Sequence, residues 1–118
     1  MKNNNPLAEK SKSLALIIIK LYQFLTTEKR EFIMSKQLFR SATSVGANIK
    51  EGLCGTSRED FFYKLNLALK EASETEYWLE LLFESNYINE AQFRQPYDLC
   101  KECIKILTAT INKKDLNK

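Results

Sequence analysis

Chain punctuation is nearly absent here: 118 residues contain only 3 glycines and 2 prolines. Sheets of short strands need frequent turns, and turns draw on Gly and Pro for the backbone angles other residues resist. A chain this poor in both is left with long helices. Its length suits one domain, large enough to bury a core without metal or disulfide. The expected fold is all-α, an antiparallel up-and-down four-helix bundle spanning residues 1–118, with 1–5 and 114–118 disordered at the ends.

Apolar spacing places the four helices. Leu14, Ile18, Leu21 and Leu25, with Ile17 beside them, recur at helical intervals after Pro6, and this first helix should fade near Thr26–Arg30. A second helix is expected from about Phe32 to Gly52, with Leu38, Ala42, Val45 and Ile49 as its stripe and Phe39, Gly46 and Leu53 extending it. Gly46 within that arc suggests a close helix–helix approach, and Gly52 and Gly55 should end the element. The third helix starts at Ser57, a capping residue followed by Asp60, and runs to Ser85 or Asn86. Its stripe is Phe62, Leu65, Leu69, Ala72, Leu79 and Phe83. Asn89 can cap the fourth, whose seam is Phe93, Tyr97, Cys100, Ile104, Leu107 and Ile111. Pro96 should kink that helix or mark a false start.

Catalytic equipment is scarce. The chain has no histidine, which removes the commonest general base, the Ser-His and Cys-His pairs and most zinc sites. The segment EGLCGTSRED has two glycines but neither the following Lys-Ser/Thr nor the preceding strand of a phosphate loop. Cys100 and Cys103 form a CxxC, yet a zinc site would need two further ligands and only Cys54 remains as a thiol; small buried hydrophobes describe them better. No cofactor, metal or small-molecule substrate is expected. An enzymatic reading requires Glu71, Glu74 and Glu76 to converge on a metal. The odd cysteine count argues against a disulfide framework. The run LALIIIKLY is interrupted by Lys20 and too short to span a bilayer, so a cytoplasmic protein without a membrane partner is expected.

Charge is unevenly spread although the net is only +3. Residues 1–50 balance at +6, residues 51–90 at −6 and residues 91–118 at +3. The segments could neutralise one another within a bundle or between subunits, or the basic ends could be offered to an acidic partner.

Three surface features stand out. Tyr63, Leu67, Trp78 and Leu81 form a second apolar stripe on the third helix, either a self-association or partner surface or scattered exposure. Gln37, Arg40, Ser44, Asn48 and Glu51 line one side of the second helix, either as a solvated face or against a neighbouring subunit or ligand. Glu76 falls inside the apolar arc of the third helix, where a charge must be paired, protonated or open to a polar pocket.

The stretches FRSATSVGANIKEG and SREDFFYKLNLALKEASETEYWLELL resemble the four-helix-bundle family of bacterial 23S rRNA intervening-sequence proteins. The matching positions are Arg40, Ser41, Ser44, Asn48, Ile49, Glu51 and Gly52, then Phe62, Leu65, Ala68, Glu71, Glu74 and the Glu76-Tyr77-Trp78-Leu79 run. The resemblance implies a homo-oligomer, typically a ring of five, and brings no catalytic motif. Accessory proteins of diversity-generating retroelements are similar in fold and bind nucleic acid through basic surfaces. Taken together with the basic ends, this implies a non-enzymatic oligomer that binds RNA or another nucleic acid. The candidate phosphate contacts are Lys10, Lys12, Lys20, Lys29, Arg30, Lys36, Lys101, Lys105, Lys113 and Lys114. Tyr63, Leu67, Trp78, Leu81, Arg40, Ser44, Asn48 and Glu51 are the candidate oligomer contacts. The competing reading is a protein-interaction scaffold with no nucleic-acid role.

Overall fold

The computed structural model describes residues 5–55 and 57–114. Four helices follow in order: α1 (Pro6–Thr27), α2 (Met34–Leu53), α3 (Arg58–Glu84) and α4 (Glu90–Asn112). Three of the four starts use a short polar side chain to satisfy the free N–H groups of a first turn. Asn5 Oδ1 accepts from the Ala8 N–H at 3.0 Å. Ser57 Oγ accepts from the Asp60 N–H at 3.0 Å. Asn89 and Gln92 close a reciprocal capping box. Asn5 and Lys114, assigned from sequence to disordered ends, both hold defined positions: Asn5 caps α1, and the Lys114 N–H bonds the Ile111 carbonyl at 3.0 Å. Residues 1–4 and 115–118 lie outside the described residues.

The start of α2 is built differently. Its N-cap position is Ile33, which has no oxygen to offer. Glu31 substitutes: its carboxylate accepts the N–H groups of Ile33, Met34 and Ser35 at 3.0, 2.8 and 2.7 Å. Ser35 Oγ returns a bond to the Glu31 carbonyl at 2.7 Å. At the far end of α3, Asn86 takes a left-handed φ of 69°. This lets the N–H of Tyr87 reach the Leu82 carbonyl and that of Asn86 the Phe83 carbonyl, so the helix stops where the sequence indicated. α4 continues unbroken through Pro96 from Glu90, so the proline marks no false start. Lacking an N–H, Pro96 leaves the Gln92 carbonyl without its helical donor, and its buried ring packs inward.

Contacts between helices fix the directions. Moving up α2 from Ser41 to Gly52, the facing α3 residues descend from Thr75 to Lys64 and Phe61. α4 descends α3 likewise, from Phe93 on Phe83 to Cys100 on the Ala72 carbonyl. α1 lies antiparallel to α2, with Ser11 beside Gly46 and Tyr22 against Phe39. The Lys10–Glu102 pair joins α1 to α4 and closes the square.

The core follows the expected stripes on α1 and α2, with Leu14, Ile18, Leu25, Leu38, Ala42, Val45 and Ile49 all fully buried or nearly so. On α3 the buried arc is turned relative to the expected one. Ala68, Thr75 and Leu82 occupy its centre, whereas Leu69 and Phe83 pack at its margin. The reason is close packing on α2, the helix that α3 contacts most. Small residues permit it. A Cβ on Gly52 would stand 3.2 Å from the Lys64 Cβ, and neither Gly52 nor Gly55 takes a positive φ. α2 ends at Leu53, between the two glycines as expected, and Gly52 in addition allows the close approach of α3. Gly46 does mark a close approach, with Ser11 Oγ 3.4 Å from where its Cβ would be.

Burial alone would push the Glu31 carboxyl up, but bonds from Met34, Ser35 and Ile33 outweigh it and hold its pKa below the usual value. A depressed carboxylate contributes stability above its unfolded pKa, about 4.3, and loses it as pH falls through the lower folded value. Glu31→Ala should therefore destabilise the domain by about 1–2 kcal/mol at pH 7, with the gap narrowing below about pH 4. Urea unfolding of both proteins at pH 7 and pH 3 measures this; an equal gap at both values would contradict the assignment.

Candidate functional site

Two polar seams run along α3. On the α2 side, Arg40 lies 3.3 Å from Glu71 and also pairs with Glu74. Lower down, Lys64 meets Glu51 at 2.8 Å. Between these pairs, Ser44 Oγ donates to the Arg40 carbonyl at 2.7 Å and Asn48 Nδ2 to the Ser44 carbonyl at 2.8 Å. Of the polar line read on the second helix, Arg40 and Glu51 thus stitch α2 to α3, while Ser44 and Asn48 bond the backbone of α2 itself. Beneath it, Ser41 and Thr75 share a buried hydroxyl–hydroxyl bond of 2.9 Å, which apolar periodicity alone could not locate.

On the α4 side, Glu76 reaches Lys101 at 3.0 Å, and the Tyr97 hydroxyl donates to Glu80 at 2.6 Å. Glu76 is therefore a rim residue, its side chain 18% exposed, and not the core charge expected from the wheel. Thr75 holds the core position at that level. The error has one cause: the buried arc is turned toward α2, which carries Glu76 outward toward α4. Its hydrogen bond holds the Lys101 ammonium above the ordinary lysine value, and that of Glu80 raises the Tyr97 phenol. Glu71 and Glu74 turn to Arg40 while Glu76 turns to Lys101, so these three carboxylates do not converge. Among the described residues no group of three or more His, Cys, Asp or Glu is placed to hold a metal ion.

The ten basic candidates do not form one surface. Lys10 and Lys101 are held in ion pairs with Glu102 and Glu76. Arg58, absent from those candidates, and Lys114 both lie over the Phe62 ring, at 5.0 and 5.7 Å, and Arg58 donates to the Lys114 carbonyl. Lys113 and Lys105 are exposed near the same end of α4. Lys12 lines an α1–α2 groove of about 500 Å³ together with Lys50, also absent from the candidates. Lys20 borders an α1–α4 groove with Phe24 and Gln95.

Lys29, Arg30 and Lys36 stand together in sequence at the α1–α2 connection, and all are exposed. With them, Phe32 is 56% and Ile33 77% exposed. Arg30 takes a positive φ of 53°, a strained conformation for a residue with a Cβ. Glu31, the one carboxylate between them, is buried and turned inward onto α2. The pattern KREFIMSK carried this signal in the sequence, since basic and aromatic residues interleave there.

The second stripe of α3 divides. Tyr63 is 59% exposed and Leu67 and Leu81 are half-buried, whereas Trp78 packs against the core with its Nε1 buried and without a partner among the described residues. Tyr77, 52% exposed, joins the outward side instead. No helix among the described residues is long and apolar enough to cross a membrane.

Comparison with known proteins adds two findings. A family model described as 23S rRNA-intervening sequence protein matches residues 3–109. The chain is also similar to a crystallised protein of unknown function from the S23 ribosomal protein family of Bacteroides thetaiotaomicron VPI-5482. The two are 50% identical, with a TM-score of 0.87 over 89% of this chain and 97% of that one. No curated protein matches. Neither description names an enzymatic activity.

The cysteines yield a prediction. Burial pushes the Cys100 thiol far up and that of Cys103 up to about 11, while Cys54 is exposed. Thiolates are the reactive species. A thiol reagent at pH 8 should therefore label Cys54 alone in the native protein, and Cys100 and Cys103 only in denaturant. Fast native labelling of Cys100 or Cys103, read by mass spectrometry, would contradict their burial.

Proposed function

The chain belongs to the family of 23S rRNA-intervening sequence proteins, and from that premise we propose that it is a non-enzymatic, self-associating bundle that binds RNA through the end formed by the α1–α2 connection. One observation carries this reading. Lys29, Arg30 and Lys36 flank an exposed Phe32 in sequence, all of them exposed, and no ion pair among the described residues engages them. Cations bind phosphates and release counterions, and an exposed aromatic ring offers a stacking platform for an unpaired base. The Glu31 carboxylate among them is turned inward and held by the N–H groups of the α2 cap, leaving exposed Glu28 as the acidic side chain beside Lys29. Lys20, on the same half of α1, extends the basic surface. Repetition of this end around an assembly would multiply weak contacts into avidity. The same reading places the protein in the cytoplasm, where RNA is available.

The scaffold alternative draws on the outward Tyr63 and Tyr77 of α3, which suit a protein partner. Self-association uses that surface in the RNA reading too, so RNA binding is what separates the two.

Fluorescence anisotropy of a labelled RNA carrying a single-stranded loop tests the proposal at 50 and 200 mM salt. The native protein should bind with steep salt dependence. Lys29→Glu with Lys36→Glu should weaken binding at least tenfold and lower the salt slope by about 0.7–0.9 per contact removed. Phe32→Ala should weaken binding to the loop more than to a plain duplex. No binding at low salt, or binding indifferent to both variants, would overturn it.

A further inference from the structure

We propose that the hollow between the α1–α2 and α3–α4 connections receives one unpaired base of the RNA and favours a base rich in carbonyl oxygens, uracil or guanine. This rests on RNA binding at that end of the bundle and adds what the end reads. Antiparallel packing brings the two connections to the same end, and the hollow they share is about 370 Å³. Clefts that hold small ligands begin at about 300 Å³. Phe24 and Tyr87, both half-buried against the core, supply its apolar wall, which suits a base ring. Lys29 enters from the α1–α2 connection; it is exposed and takes part in no ion pair among the described residues. Asn86, Asn89 and Gln92 complete the polar side. No carboxylate lines it: of those nearest in sequence, Glu28 lies outside the lining and Glu90 pairs with Arg94 at 3.3 Å.

The capping box of α4 decides which way two of these amides face. Asn89 Oδ1 accepts the Gln92 N–H at 2.8 Å, and Gln92 Oε1 accepts the Asn89 N–H at 2.9 Å. Both carbonyl oxygens are thus tied to backbone, so neither amide can flip. What each has left is its NH2 group, and no partner among the described residues takes either one. With the Lys29 ammonium, the fixed polar groups are therefore all donors. Uracil and guanine meet donors with O4, or with O6 and N7. Cytosine and adenine put an amino group at the corresponding edge, donor against donor. Asn86 and Tyr87 carry no such tie among the described residues and can offer donor or acceptor, so they adapt to the base without choosing it. Phe24 and Gln92 also border the α1–α4 groove that holds Lys20, so a strand leaving the hollow meets a further cation.

Fluorescence anisotropy at about 50 mM salt tests this with two labelled hairpins, identical in stem and loop length, whose loops are all uridine or all cytidine. The native chain should bind the uridine loop at least about fivefold tighter, the factor expected when one hydrogen bond is lost to a facing donor. Asn89→Asp with Gln92→Glu keeps both capping oxygens and replaces both NH2 groups by acceptors. The added charge weakens binding of both loops alike, so the readout is the ratio between them. That ratio should fall to about one or reverse. Circular dichroism of the variant should match the native protein; if the pair loses helix, Asn89→Ser, which keeps the cap and deletes the amide, replaces it. Equal affinity of the native chain for the two loops, the result if the donors hold only phosphate, would overturn the base pocket and leave RNA binding standing. A preference unchanged in the variant would do the same. Failure of the native chain to bind either loop at this salt would overturn RNA binding, and the pocket with it.

Discussion

Ser41 and Thr75 meet hydroxyl to hydroxyl at 2.9 Å with no solvent exposure, and much of the surface follows from that contact. With one proton each, one hydroxyl donates to the other, and the second donates to a carbonyl of its own helix, Glu71 for Thr75 or Leu38 for Ser41, so both protons are used inside the pair. Polar groups buried this way admit one register, because a slip would strand both hydroxyls at a cost of about 1–3 kcal/mol each. Ala42, Ala68 and Ala72 around them and Gly52 at the lower end bring α2 and α3 close. α3 is thereby turned toward α2. Trp78 rolls in against the core, Glu76 swings out to Lys101, and Tyr63 and Tyr77 are left facing solvent.

Ion pairing then decides which charges remain available. Glu71, Glu74 and Glu76 are spent on Arg40 and Lys101, Glu51 on Lys64 and Glu102 on Lys10. Such exposed pairs contribute little to stability, typically below 1 kcal/mol each. Their larger effect is on the field outside the protein. The acidic middle of the chain is partly neutralised along both sides of α3, whereas Lys12, Lys20, Lys29, Arg30, Lys36 and Lys50 enter no ion pair among the described residues. A net charge of +3 thus conceals basic regions at the α1–α2 groove and the α1–α2 connection.

The bundle itself was legible because its signals are local. Helical spacing identified the four helices and most of the core, and Pro6, Ser57, Asn86 and Asn89 marked ends through backbone chemistry that acts within a few residues. What the sequence could not deliver was rotation. A wheel built from one helix puts Leu69 in the stripe and leaves Leu82 out, and the closeness of α2 decides that Leu82 is buried and Leu69 marginal. Glu76 was misplaced for the same reason. The cap of α2 escaped as well, since a glutamate two residues before the N-cap reaches back only through a particular loop path. Of the surface, the basic connection was readable as interleaved Lys, Arg and Phe, but the groove was not, because Lys12 and Lys50 become neighbours only on folding.

The residues that carry the family resemblance are mostly occupied with architecture. Arg40, Ser44, Asn48, Glu51, Glu71 and Glu74 form or face the α2–α3 seam, Ser41 lies beneath it, and Gly52 allows its close approach. A signature of this kind identifies a way of packing two helices. It says little about what the bundle touches, because each polar group in it already has a partner inside the chain. Contacts with other molecules must then come from side chains the seam leaves free. These are the outward side of α3 that carries Tyr63 and Tyr77, the groove left open between α1 and α2, and the connection whose Glu31 is folded into a helix cap. All three lie outside the seam, so chains sharing it can differ in what they bind without any change of fold.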